Sequence, residues 1–434
     1  MNIIHGDCLE ELKKLEDNSV DAVITDPPYG LSNTKPQQVA DVLKAWVTGD
    51  TVSVPAKRGG FMGKDWDSFV PPPAVWEECM RVLKPGGHMA VFAGARTQDL
   101  MGLSIRLAGF EIRDTLGWVY GSGFPKSMDV SKAIDKAAGA EREVVGTRKK
   151  LDSYGQQAGN NVYGGGPNHD GVQAITAPAT SEAQRWDGWG TALKPAIEPI
   201  ILARKPLVGT VAANVLAHGV GGLNIDACRV ATNDTLVAGG PSTPLPGDTR
   251  TTKGQGMFSE GTRSTFAQNP AGRFPANVLL DEHAAAEMDK QSGNVNGVIG
   301  MKKVSGGHNF NIGEHTPQKF NKTSGQIKDS GGASRFFPVF KYQAKAPKKE
   351  RPVIEREDGT KIQHATVKPL ALMEWLVSLI VPPGGVVLDP FAGSGTTLQA
   401  AINKGFQPIG IEQDAEYIKL IEKRLEATCK TRKN

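Results

Sequence analysis

Val20-Asp21-Ala22-Val23-Ile24-Thr25-Asp26-Pro27-Pro28-Tyr29-Gly30 is an apolar run that stops in a carboxylate, two prolines, an aromatic ring and a glycine. Residues 20–25 read as a buried strand, and the change of composition at Asp26 marks its end. Proline fixes φ and supplies no N–H, so the chain beyond the strand is stiff and its carbonyls are free to accept. Tyr29 offers a flat face for stacking and Asp26 an acceptor for an amino group. Together they suit the gripping of a planar, amino-bearing ring such as a nucleobase. A proline-stiffened turn with an aspartate cap is the other reading of the tetrapeptide alone.

Around this stretch the chain has an α/β rhythm. Asn2–His5 reads as a strand ending at Gly6-Asp7, and Cys8–Leu15 carries Leu9, Leu12 and Leu15 on one helical face. Residues 31–72 read as irregular, with Trp46, Phe61, Trp66 and Phe69 interspersed with Lys57, Arg58 and Lys64. These either cover a ligand or form a satellite core beneath a loop. Pro73 opens a helix that Lys84-Pro85-Gly86-Gly87 stops, followed by a strand at 89–92, a helix at 97–107 and a strand at 111–119. Alternating strands and helices predict a parallel, doubly wound sheet.

After Tyr120 the pattern breaks. A short helix is expected over 129–138 and a long Gly-rich loop over 152–192, after which 196–203 reads as a strand hairpinning back on 111–119. Residues 206–345 mix Gly, Asn, Ser, Thr and basic residues with short apolar runs, and read as a recognition module or a set of elaborate loops. Phe336–Phe340 resembles a strand returning to a core, and 341–356 a basic linker. The rhythm resumes with a helix over 367–380, a strand at 386–388, a helix at 396–404, a strand at 408–412 and a last helix at 415–425.

The length of 434 residues allows one large domain with insertions, or two domains, and a sizeable core. A net charge of +4 neither demands nor opposes a nucleic-acid partner, because charge can be local. Cys8, Cys79, Cys228 and Cys429 are too scattered for a zinc knuckle or redox pair, which favours free thiols and no metal. The first residues lack the character of a signal peptide, and no apolar run reaches the roughly 20 residues that span a bilayer. The expectation is a cytoplasmic protein without a membrane partner.

A second constellation lies near the other end: Asp389-Pro390-Phe391-Ala392-Gly393-Ser394-Gly395-Thr396-Thr397, between a strand and a helix. Glycines let the backbone pass close to a ligand, and a helix start presents free N–H groups. No lysine follows the glycines, so this is not a phosphate-binding Walker loop. It also lacks the third glycine of the dinucleotide fingerprint. The next strand ends in Glu412, where a doubly wound sheet typically places an acid against ribose hydroxyls. The unit fits a nucleoside held without a pyrophosphate.

The two constellations together resemble the S-adenosylmethionine-dependent DNA amino methyltransferases, which modify adenine N6 or cytosine N4. Their order, catalytic motif before cofactor loop, is similar to the β-class arrangement. Lys84–Gly87, Glu198–Lys205 and Thr366-Val367-Lys368-Pro369 fit it as well, while Ala365 stands where the family commonly has proline. The resemblance implies a seven-stranded, mostly parallel, Rossmann-like sheet. Its order would be 2–5, 408–412, 386–388, 20–25, 89–92, 197–203 and 112–119, with the last antiparallel.

The resemblance also implies a division into parts. These are a catalytic half over 1–120, an insertion over 121–195, a returning strand over 196–205, a target-recognition region over 206–335 and a cofactor half over 336–434. Asp26, Pro27, Pro28 and Tyr29 would be catalytic, with the Asp26 carboxylate and the Pro27 carbonyl taking the target amine. Asp7, Thr366, Lys368, Asp389, Phe391, Gly393, Gly395, Thr396, Thr397 and Glu412 would bind S-adenosylmethionine. Double-stranded DNA would be the substrate. Adenine is favoured because the motif begins with Asp. Cytosine N4, and a nucleic-acid-binding protein of the same fold without activity, are the alternatives. A homodimer and a cognate restriction enzyme are open as partners.

Overall fold

Strand Val20–Thr25 is buried along its whole length and lies in the middle of a nine-stranded sheet. A computed structural model describes residues 2–32, 34–55, 65–121, 123, 127–149, 172–232, 271–296, 330–340, 351–356, 358–364 and 366–431. In chain order the strands of this sheet are β1 (Asn2–His5), β2 (Val20–Thr25), β3 (Leu83–Phe92), β4 (Glu111–Val119), β5 (Ile197–Arg204), β6 (Val278–Asp281), β7 (Val339–Phe340), β8 (Val386–Asp389) and β9 (Gln407–Glu412). They lie in the order β1-β9-β8-β2-β3-β5-β4-β6-β7.

The seven strands read from the sequence therefore keep the expected order, and β6 and β7 extend the sheet beyond β4. One expectation is corrected. The antiparallel strand is β5, which runs against both β3 and β4. The 111–119 strand is parallel to the body of the sheet. The helix Gln98–Leu107 carries the chain from β3 over to β4 as a parallel crossover, and β5 then fills the gap between them as the return leg of a hairpin.

Alternation along β2 supplies both faces of the core. Val23, Met89 and Val91 pack against Trp76 and Cys79 of helix Pro73–Val82 and Met101 and Ile105 of helix Gln98–Leu107. Ala22, Ile24, Ala90 and Phe92 pack on the other side against helix Leu370–Ile380. Helix Thr396–Lys404 joins this second layer through Ala400 and Ala401, and meets the last helix through Leu398, Ile421 and Leu425.

Other elements depart from the sequence reading. Within 31–72, Pro36–Val47 is a helix, capped where the Lys35 N–H donates to Gln38 Oε1 at 3.0 Å. Its Val42 and Trp46 are buried, so Trp46 and Phe69 belong to the core, whereas Phe61, Lys57, Arg58 and Lys64 lie outside the described residues. Within 152–192, Val172–Thr176 pairs with Val144–Lys149, and Ser181–Arg185 is a short helix. Buried Asp135 holds this unit together by accepting from Arg142, Thr180 and the Ala179 N–H. The last helix runs on to Thr431. Of the basic 341–356 stretch, 341–350 lie outside the described residues. Ile354–Glu355 pairs with Lys361–Ile362. Among the described residues no helix is long and apolar enough to cross a membrane, and no group of side chains could hold a metal ion.

At the base of the sheet, Asp21 ties β2 to its neighbours. It is 6% exposed, accepts from the Val386 N–H at 2.7 Å and pairs with Lys84 Nζ at 2.6 Å. Asp21→Ala leaves a buried N–H and an ammonium without their acceptor. A loss of about 2–3 kcal/mol in urea unfolding is expected. A change under about 0.5 kcal/mol, the range of an ordinary surface substitution, would refute that role for Asp21.

Candidate active site

β8 and β2 are parallel neighbours, with Val387 opposite Ala22 and Leu388 opposite Val23. After β8 the chain turns outward to β9. After β2 it turns the other way, to β3. The loops leaving their carboxyl ends thus part at a switch point and open a crevice between them. Thr25 Oγ1 donates to Asp389 Oδ1 at 2.7 Å across that boundary. The cleft is about 480 Å³ and is lined by residues of both sequence constellations.

Asp26, Pro27, Pro28, Tyr29, Asp7, Thr366, Lys368, Asp389, Phe391, Gly393, Thr396, Thr397 and Glu412 all line this one cleft. Gly395 does not. It sits at the start of helix Thr396–Lys404 with φ +76°, and a Cβ there would come within 3.0 Å of Ile421. Its role is to let the last helix pack close.

The corner after β2 is held from outside. Asp67, 3% exposed, accepts from the Tyr29 N–H at 2.7 Å and the Gly30 N–H at 3.0 Å. Thr97 Oγ1 donates to the Tyr29 carbonyl at 2.6 Å. Gly30 has φ +66°, and a Cβ would stand 2.7 Å from the Val70 backbone nitrogen, so no other residue fits the turn. The Pro27 carbonyl accepts no hydrogen bond among the described residues.

Beneath the corner lies a cluster of four side chains. Tyr29 Oη is 2.7 Å from Asp26 Oδ1 and 2.6 Å from Glu198 Oε1. Lys368 Nζ is 3.0 Å from Tyr29 Oη, from Asp26 Oδ2 and from Glu198 Oε1. It also lies 5.3 Å from the centre of the Tyr29 ring and 4.8 Å from that of Phe92. Burial would lower the Lys368 ammonium pKa, but the carboxylates of Asp26 and Glu198 more than reverse this and hold it above its ordinary range. Burial, and then the same two carboxylates, push the Tyr29 hydroxyl well up, so it keeps its proton.

On the other side of the cleft, Gly393 turns with φ +53°, and a Cβ would stand 3.0 Å from His364 Nε2, filling the floor. Its N–H donates to Glu412 Oε2 at 2.8 Å, while Glu412 Oε1 accepts from the Asp414 N–H at 2.8 Å. His364 meets Tyr417 edge to face, with ring centres 4.7 Å apart. Phe391 leans on Trp76 at 6.4 Å. Asp7 accepts from the Leu9 and Glu10 N–H groups at the start of helix Cys8–Leu12. Cys8 also lines the cleft, where burial pushes its thiol up to about 12, so it is no nucleophile.

Several cleft residues escaped the sequence reading. Glu198 had a visible signal, an ionisable residue inside an apolar strand run. His364 and Tyr417 lie one turn away from motif residues, and isolated Asp67 carried no mark.

A family model described as a DNA methylase, of the N6/N4 type, matches residues 20–141 and 267–423. The type II methyltransferase M2.DpnII of Streptococcus pneumoniae is 44% identical over 69 residues, 16% of this chain and 26% of that protein. The DNA adenine methyltransferase YhdJ of Escherichia coli strain K12 is 49% identical over 63 residues, 14% of this chain and 21% of that one. The aligned stretches thus span about a quarter of these curated relatives. Among solved structures, the M1.HpyAVI–SAM complex aligns over 98% of both chains at 15% identity, with a TM-score of 0.38.

Burial raises Asp389 to about 6 and Glu412 to about 7, against the hydrogen bonds that each accepts. Between about pH 5 and pH 7 folded Glu412 retains a proton that the unfolded chain has released. Folding stability should therefore fall as pH rises through this window, by up to about 1.4 kcal/mol per unit. Urea unfolding at pH 5 and pH 7 checks this. Glu412→Gln should flatten the dependence, and an unchanged slope in that variant would exclude Glu412 as its source.

Proposed function

The chain belongs to the N6/N4 DNA methylase family, and on that premise we propose that it methylates N6 of adenine in double-stranded DNA, with the target base flipped out of the duplex. The observation that carries this reading is the shared cleft, onto which the Asp26–Tyr29 corner and the Gly393–Glu412 cradle both open.

The methyl donor is S-adenosylmethionine, which when bound supplies an electrophilic methyl group on a sulfonium. The residues present suit it. The floor at Gly393 is kept open by the lack of a side chain, and Glu412 stands at the end of β9, where a ribose acceptor belongs. Asp7, Phe391, Thr366, Thr396 and Thr397 complete the cradle.

The amino group of adenine is a weak nucleophile because its lone pair is delocalised into the ring. Hydrogen bonds from that group to the Asp26 carboxylate and the Pro27 carbonyl localise the lone pair on nitrogen. Tyr29 stacks on the base once it has left the duplex, where unstacking costs a few kcal/mol. Lys368 keeps Asp26 an acceptor by holding positive charge 3.0 Å from it.

Adenine is supported over cytosine by Asp at the head of the tetrapeptide and by the likeness to the E. coli DNA adenine methyltransferase YhdJ. Sequence recognition falls to the 121–195 insertion or to the 206–335 region in this reading. The insertion leaves β4 and re-enters β5 at the carboxyl end of the parallel strands, the end of the sheet at which Asp26 lies. The protein acts in the cytoplasm, as a homodimer or beside a restriction enzyme.

Incubation of duplex DNA with labelled S-adenosylmethionine, followed by mass spectrometry of nucleosides, should yield N6-methyladenine. N4-methylcytosine alone would move the target to cytosine. Asp26→Ala should abolish transfer while retaining cofactor binding, and near-normal transfer by that variant would refute the mechanism.

A further inference from the structure

Lys368 Nζ contacts Tyr29 Oη, Asp26 Oδ2 and Glu198 Oε1, all at 3.0 Å, and Tyr29 Oη contacts Asp26 Oδ1 at 2.7 Å and Glu198 Oε1 at 2.6 Å. An ammonium carries three N–H donors and a phenol one O–H. Five short contacts are therefore served by four protons. The three protons of Lys368 go one to each of its partners. The single proton of Tyr29 faces two carboxylates at nearly equal distance and can serve only one. With that proton on Asp26 Oδ1 all four oxygens have a donor, because Lys368 still serves Glu198 Oε1; with it on Glu198, Asp26 Oδ1 is left open to an incoming donor.

We propose that Glu198 is a positioning residue: it takes the Tyr29 hydroxyl when the target's amino group arrives at Asp26 Oδ1, so that the amine gains the carboxylate without leaving the phenol proton unaccepted. The inference rests on the reading given under Proposed function and deepens it. With an amino group at Asp26, the Tyr29 hydroxyl turns to Glu198, and every acceptor in the cluster has a donor. With a keto oxygen in the same place a lone pair meets Asp26 Oδ1, and no donor is gained. The cluster thus discriminates the amino edge of a base from the keto edge, through a residue that does not touch the base. Without Glu198 the Tyr29 hydroxyl has only Asp26 to serve, and the incoming amine must displace it.

Methyl-transfer kinetics on duplex DNA test this with the full chain and four variants: Glu198→Ala, Glu198→Gln, Tyr29→Phe and the double variant Glu198→Ala/Tyr29→Phe. Glu198→Ala should lower kcat/KM by roughly tenfold, about what one lost hydrogen bond allows. Cofactor affinity should stay the same, and the fall in melting temperature from the lost Lys368 partner should be equal in the unmodified and Tyr29→Phe backgrounds. Glu198→Gln keeps a carbonyl acceptor and should recover most of the rate. In the Tyr29→Phe background, where no hydroxyl needs redirecting, removal of Glu198 should have little further effect on the rate. An equal loss of rate in both backgrounds would mean that Glu198 acts through Lys368 or through folding, and would overturn the inference alone. Absence of transfer by the unmodified chain would overturn the methyltransferase reading, and this inference with it.

Discussion

One buried hydrogen bond, from Thr25 to Asp389, joins residues 364 positions apart and marks the place on which the cleft depends. It can form only because β2 and β8 are paired at the centre of the sheet. That pairing sets two loops of unrelated composition side by side. One is stiffened by prolines and carries a carboxylate beside an aromatic ring. The other is opened by glycine and hydrogen-bonds to the Glu412 carboxylate at the end of β9. Neither loop does much by itself. The sheet contributes their separation and their common direction.

The cleft is also strongly acidic. Asp7, Asp26, Asp67, Glu198, Asp389, Glu412 and Asp414 line it, and Lys368 is the one ammonium or guanidinium among its described residues. Such a cavity favours a cationic ligand over an anionic one. That fits a sulfonium donor. Burial on one side of the cleft raises Asp389 and Glu412, while on the other side Lys368 offsets the carboxylates within its reach. The two halves thus manage negative charge differently, one by retaining protons and one by pairing.

Much of this was legible in the residues. Val20–Tyr29 and Asp389–Thr397 announce themselves because each breaks an apolar strand with residues that have few structural uses together. Their side-by-side placement came from family likeness rather than from spacing. What was not legible has physical reasons. Helix Pro36–Val47 does have Val39, Val42, Leu43 and Trp46 at helical spacing, but it lies in an otherwise irregular stretch with scattered Gly and Pro. The direction of β5 depends on which strand fills the gap beside β3, a tertiary matter that local pattern does not encode. Asp67 matters only because a distant turn brings two N–H groups to it. The Gly-rich composition of 206–335 hid that Val278–Asp281 enters the sheet beside β4.

The central position of the β2–β8 pair also shapes how the protein is made. β2 is synthesised early, and its partner on one side arrives only after several hundred intervening residues. Contacts so distant along the chain form late and slowly. During translation the strand bearing Asp26 must wait with one edge open, and an unpaired edge is a template for wrong partners. The helices around Trp76 and Met101 can cover one face of that strand in the meantime, but not the edge itself. The cleft is therefore completed only late, when β8 pairs with β2.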